Sequence, residues 1–396
     1  MIYIVVIILL LCLSLRYDIN GRTKYRDHWY FVIMVSFILI AGLRWRLGVD
    51  TPNSLFRFYN TIPTLPNLTL EHLSIGNKPF WYLLNSFILT IGGRFYLVQL
   101  IQSAFVNILL FRYIKKHSQF IFTCVLIYFL TVYYGMNMDA MKAANSIVIC
   151  FYANDYWLEK KWGKAYLLWF IAVLFHVQAL LLVVTPLLLF ARFDLKGLIF
   201  ILVAFMVGFT MQIFIGDYLE LVEAFGDDAI IDKANGYAEA DQFIDQEKSF
   251  LRIFTGVLVP IIYAIICVLY VKNKCSESSL NRFEPFLLIF LACSVIQLNV
   301  QIFYRFKNYY WIYVILYLSQ TTVCMIKKPK NISFRLAYTK AMLFFAVFVL
   351  SFLLFFYPKY YSWFYPYSSV IEKKIDPNRE QSYSRYDRPA PDKDQY

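Results

Sequence analysis

Apolar runs recur from one end of this 396-residue chain to the other, and that recurrence constrains its fold more than any motif does. They fall at 1–15, 28–43, 95–114, 119–134, 143–158, 197–215, 250–271, 284–302, 309–326 and 338–357. A bilayer core needs about 20 apolar residues per helix, and hydrocarbon leaves a backbone no partner but itself. The runs therefore predict an all-α, polytopic integral membrane bundle of roughly 10–12 transmembrane helices. A 60% hydrophobic and 16% charged composition agrees. Tyr and Trp crowd the ends of the runs, as interfacial belts require. The net charge of +12 forms no basic and aromatic face of the kind nucleic acid would need. Cytoplasmic loops rich in Lys and Arg account for it, so the bilayer is a partner and nucleic acid is not.

Residues 1–15 resemble a signal-peptide core without a small-residue cleavage site and are read as a retained first span. The seven cysteines show no CxxC spacing and read as small apolar residues. No HExxH, GxSxG, Walker or GxGxxG pattern occurs, so neither a metal nor a cofactor is expected.

Two regions do not fit a simple span. Residues 80–92 are too short and end in Gly92-Gly93-Arg94. Residues 165–190 are long and interrupted at His176, as one tilted span or two half-helices. Charge arbitrates. With an outer N-terminus, 80–92 in the interface and 165–190 as a hairpin, six inner loops carry 19 of the 38 basic residues. Reading either region as a simple span turns later basic loops outward, against the positive-inside rule. The hairpin, with His176 at its apex and the helix broken or re-entrant there, is therefore preferred. This topology places 44–79, 135–142, 216–249 and 303–308 outside. The transmembrane domain spans 1–357. Its loop at 216–249 is acidic, either a solvated surface or a lid over a channel. From 358 an aromatic stretch leads into a charged, Pro-containing end, expected to be disordered from about 372 and to carry no chemistry.

Four polar interruptions hold the candidate chemistry. In RWRLGVD (44–50), Arg44 and Arg46 can present guanidinium forks to a phosphate or diphosphate. Gly48 allows a turn, and Asp50 can orient an arginine or accept a proton. Alternatively, the arginines snorkel to headgroups. Lys142, after MNMDAM, is either a further cation on the same anion or an interfacial lysine paired with Asp139. Tyr304 and Arg305 occupy a short outer loop, where snorkelling is again the plain alternative. His176 is either a core histidine bonded to a carbonyl or a general base. Gln178 can hydrogen-bond a sugar. Arg44, Arg46, Lys142 and Arg305 together would attract a diphosphate.

Taken in order, these segments resemble the EpsG family of bacterial exopolysaccharide membrane proteins, which are similar to Wzy-type polysaccharide polymerases. The resemblance runs from about residue 40 to 190 and faintly to 310. It rests on RWRLGVDT, on NKPFWYLLN (77–85), on DAMKA (139–143) and on FHVQA (175–179). Lys78, Lys142, Ala143 and Gln178 depart from the family pattern of Glu, Arg, Gln and Ser at those places.

The resemblance implies an enzyme of the bacterial inner membrane, acting in exopolysaccharide, capsule or O-antigen synthesis. Its substrate would be a polyprenyl-diphosphate-linked oligosaccharide, polymerised on the extracytoplasmic side, alongside other polysaccharide-assembly proteins. Arg44, Arg46, Lys142 and Arg305 would hold the leaving diphosphate, and His176 or Asp50 would deprotonate the acceptor hydroxyl. Gln178 and Tyr304 would contact substrate. The competing functions are a glycan ligase or acyltransferase of the envelope and a transporter that makes no bond. No internal repeat favours the transporter.

Overall fold

The computed structural model describes residues 2–213, 261, 279–300, 303–327, 363–374, 376, 377 and 379. The acidic segment 216–249, the runs at 250–271 (save residue 261) and 338–357, and the end of the chain beyond 379 lie outside the described residues.

The described elements are helices, with no strand among them. In chain order they are α1 (Ile2–Leu13), α2 (Arg26–Gly42), α3 (Asp50–Asn60), α4 (Pro79–Thr90), α5 (Phe95–His117) and α6 (Ile121–Thr131). There follow α7 (Met141–Leu158), α8 (Trp162–Phe175), α9 (Leu195–Ile213), α10 (Glu284–Ile296), α11 (Phe303–Lys307) and α12 (Trp311–Lys327). Short π-helical turns extend α1 (Ser14–Ile19) and precede α7 (Tyr134–Asp139), and a 3₁₀ helix, Val177–Leu188, follows α8. Ile2–Ile19 and Phe95–His117 are long and apolar enough to cross a membrane, and five shorter apolar helices accompany them. This is a helical membrane protein, as the apolar pattern requires.

The chain divides into two compact units, each described by itself. The first comprises 1–73, 79–145 and 322–396, and the second comprises 74–78 and 146–321.

In the first unit α2 and α5 pack closely because Gly42 has no side chain. A Cβ there would meet the Leu100 Cα at 2.8 Å. Close approach through small residues replaces the hydrophobic drive that lipid cannot provide. Ser103 Oγ donates to Ile38 O at 3.0 Å and Tyr30 OH to Phe111 O at 2.8 Å, tying the same pair of helices. Further along α5, Asn107 and Asn137 exchange amide hydrogen bonds at 3.2 and 3.1 Å, and Asn137 also donates to Tyr128 OH at 2.8 Å. Buried amides paired in this way hold a register that an all-apolar interface would leave loose. Next to them Phe37, Phe111, Phe129 and Tyr133 form an aromatic core, with Phe37 and Tyr133 centroids 4.7 Å apart.

In the second unit α8 stops at Phe175, where His176 turns to an extended backbone (φ −157°, ψ 117°). The 3₁₀ helix then runs back along α8. Trp169 Nε1 donates to Ala179 O at 2.8 Å, and Leu189 packs on the cluster of Ala153, Trp157 and Ala165 that begins the hairpin. The expected break at His176 is thus present. Elsewhere in this unit Ala204 packs with Ala292 and Ile296, and a Cβ on Gly208 would lie 3.0 Å from the Ile296 Cα. Phe286 stacks on Tyr313 at 4.6 Å, and buried hydroxyls pair as Thr185–Tyr310 at 2.7 Å and Tyr309–Ser146 at 3.3 Å.

Candidate functional site

The arginine-rich stretch becomes a site because α2 cannot continue past Gly42 and the chain then turns sharply twice. Arg46 (φ +51°) and Gly48 (φ +95°) both adopt left-handed backbone. A Cβ at Gly48 would collide with the Met138 carbonyl oxygen, so the π turn before α7 can press against this loop only if residue 48 is glycine. Thr51 Oγ1 donates to Leu47 O at 2.6 Å and closes the turn.

Two remote segments hold this loop. The first is the π turn. The Asp139 carboxylate accepts the Asp50 N–H at 2.9 Å and a second bond from the Val49 N–H, so it caps the amino end of α3. Burial, followed by the neighbouring Asp50 charge, pushes the Asp139 carboxyl up to about 7, while those two N–H donors and Arg44 pull the other way. The second is the segment 363–373. Trp45 N–H donates to Ser368 O at 2.8 Å, Val370 N–H to Leu43 O at 2.9 Å and Gly48 N–H to Trp363 O at 3.0 Å. Tyr367 OH reaches Ile40 O at 3.1 Å and Tyr3 OH reaches Phe364 O at 3.0 Å. In the same segment Lys373 N–H bonds Ser369 O at 2.8 Å and the buried Arg379 donates to Pro366 O at 2.5 Å, while most of the end expected to be disordered lies outside the described residues.

Arg44 is wholly buried. Its Nε donates to Leu47 O at 3.3 Å and its Nη1 to Ala41 O, while Nη2 has no partner. Desolvation lowers its pKa to about 10, partly offset by neighbouring Tyr133 and Asp139, so it stays cationic at neutral pH. Two of its donors are thus spent on the loop that carries it. Arg44 therefore has one nitrogen left uncommitted, rather than the fork the sequence suggested.

That nitrogen belongs to a side chain lining a cavity of about 300 Å³. Arg44, Arg46, Arg94 and Lys373 all line it, and among the described residues its lining contains no carboxylate. Gln99, 2% exposed, also lines it with an unpartnered Nε2, as does Trp45 with an unpartnered Nε1. Unsatisfied buried donors are rare in folded proteins and penalised by about 1–3 kcal/mol each. A cavity lined by four cations is suited to an anion rich in acceptor oxygens.

The other expected site residues are distributed differently. Asp50 is exposed at the first position of α3, next to cavity-lining Thr51. Lys142 sits with its ammonium 5.6 Å from the centre of the Trp81 ring and does not line the cavity. In the second unit, Arg305 Nε donates to the exposed Tyr304 OH at 2.9 Å. His176 caps the 3₁₀ helix, its Nδ1 accepting the Gln178 N–H at 3.4 Å. Arg44 and Arg46 are therefore the two predicted cations brought into one cavity. Sequence reading missed Arg94, Gln99 and Lys373. Gly92-Gly93 marks a turn before Arg94, but nothing local distinguishes the other two.

Fold and site together define a class: an all-helical membrane protein with a cation-lined cavity beside the ends of its helices. Within that class the chain belongs to the EpsG family, whose sequence model matches residues 27–369. The match extends well beyond the 40–310 span of the motif resemblance. No curated protein and no solved structure gives a significant match to the chain.

Proposed function

We propose that this protein polymerises lipid-linked oligosaccharide repeat units by glycosyl transfer from polyprenyl diphosphate on the outer face of the cytoplasmic membrane. The observation that carries this reading is a cavity whose charged lining residues, among those described, are all cations, Arg44 and Arg46 included. Family membership supports an exopolysaccharide-related polymerase in general terms.

In this reading a hydroxyl of the acceptor unit attacks the anomeric carbon of the donor. A glycosidic bond forms as the anomeric carbon–oxygen bond to the diphosphate breaks, and the electron pair leaves on polyprenyl diphosphate. Arg44 and Arg46 stabilise that growing charge, which is larger in the transition state than in the bound donor and so lowers the barrier. Arg44 stays charged and braced by Leu47 and Ala41, so little reorganisation accompanies the reaction. The hydroxyl proton passes to Asp50, which is exposed and adjacent to cavity-lining Thr51. His176 is the other base the sequence offers, but its Nδ1 is engaged in capping.

The test is reconstitution of the purified chain with lipid-linked repeats. Products of many repeats support polymerisation. Single transfers to another acceptor would make it a ligase, and movement of substrate without a new bond would make it a transporter. Asp50→Asn with unchanged chain length would remove Asp50 as the base.

A further inference from the structure

We propose that Arg94, Gln99 and Lys373 are binding residues for the same diphosphate, and that the segment 363–373 is a built wall of that site. The inference rests on the diphosphate reading above and adds three ligands to it from two other parts of the chain.

Arg94 and Gln99 come from the start of α5. Arg94 is the residue preceding the helix, and its side chain is exposed while lining the cavity. Gln99 lies in the helix's second turn, is almost fully buried, and has an Nε2 without a protein partner. The partly positive amino end of this 23-residue helix adds to the same field. Gln99 and Arg44, each with a nitrogen lacking a protein partner, line the same cavity, where an acceptor-rich ligand would find amide and guanidinium donors together.

Lys373 arrives by a different route. Ser369 pairs with Arg44 in an antiparallel bridge, and its carbonyl accepts the Lys373 N–H at 2.8 Å. The turn that presents Lys373 is thus built directly on the residue that pairs with Arg44. Lys373 takes a left-handed backbone (φ +49°), which non-glycine residues adopt uncommonly, and its ammonium stands 5.1 Å from the centre of the Trp45 ring. The lysine and Trp45 line the same cavity.

The experiment titrates the purified full-length chain in neutral detergent with inorganic pyrophosphate, following thermal unfolding, with phosphatidylglycerol in a parallel arm. Pyrophosphate should raise the wild-type Tm. Lys373→Gln and Arg94→Gln should each weaken its apparent affinity about 5- to 10-fold without moving the ligand-free Tm, and Lys373→Arg should restore most of the affinity. Gln99→Leu should weaken binding about 3-fold. Suppose both glutamine variants bind pyrophosphate like wild type while Arg44→Met does not. The wall and α5 would then lie outside the site, and the Arg44 reading would stand. A wild-type protein that ignores pyrophosphate overturns both readings. A shift by phosphatidylglycerol alone makes the cavity a headgroup site and overturns the diphosphate class. If Lys373→Gln does not fold, Arg94→Gln, at an exposed position before α5, decides the matter.

Discussion

Two groups of buried polar residues, the hydroxyls of the second unit and the arginine-rich loop of the first, are satisfied differently. In the second unit, Thr185 pairs with Tyr310 and Tyr309 with Ser146, and Ser146 Oγ donates to Ala172 O at 2.8 Å. In the first, the arginine-rich loop leaves nitrogens of Arg44, Trp45 and Gln99 without partners around a cavity. Paired polar groups in an apolar interior fix packing and need nothing more. Unpaired ones with full positive charge are tolerated only where something else completes them. The difference separates a polar network that closes on itself from one with uncommitted donors, which the diphosphate proposal accounts for.

The largest effect should come from the loop's geometry. Gly48→Ala places a Cβ against Met138 O in a left-handed conformation and should lower stability by roughly 3 kcal/mol. The expected outcome is poor yield or a sharply lowered Tm. A normal Tm would mean the π turn does not press on the loop, and the contrast between the units would lose its anchor.

Next is the charge itself. Arg44→Lys cannot both brace Leu47 and Ala41 and reach the cavity, so polymerisation should fall about 10- to 100-fold with protein level unchanged. Glycan chain length on gels gives the measurement. Wild-type chains would show that a simple positive charge suffices there.

A pH effect sharpens the comparison further. The folded Asp139 carboxyl has its pKa raised to about 7 from an ordinary value of 3.8. The folded state therefore favours the protonated form, and the stability this contributes is lost as pH rises from about 4 through 7. Wild-type Tm should decline across that window, and Asp139→Asn should flatten the decline. An equal slope in the variant would assign the effect elsewhere.

The smallest effect is expected at His176. As a cap, its replacement by Ala should lower stability by about 0.5–1 kcal/mol, and Asn should recover most of that. Polymerisation should follow stability. If His176→Asn is stable but makes no long chains, the histidine is the base after all.

Much of the fold could be read directly from the residues. The break at His176 showed because a polar ring interrupts an apolar run, and RWRLG showed because two arginines and a glycine end one. Lys142 was harder. Its charge was visible, but the Trp81 ring beneath it comes from a helix far away in sequence. Asp139 was visible as a neighbour of Lys142, whereas its bonds to Val49 and Asp50 depend on a contact between distant loops. Lys373 gave no signal, since it lies in a stretch with the composition of a disordered tail.

The sequence by itself determined that this is a helical membrane protein with cations at the ends of its apolar segments. Hydrocarbon permits few ways to satisfy a backbone, so composition alone selects the class. Only the tertiary structure decided which cations share a cavity. That choice is made by long-range hydrogen bonds such as Trp45 N–H to Ser368 O, and by the collision that reserves position 48 for glycine. Neither has a local periodicity to announce it, because each joins residues that meet only once the chain has folded.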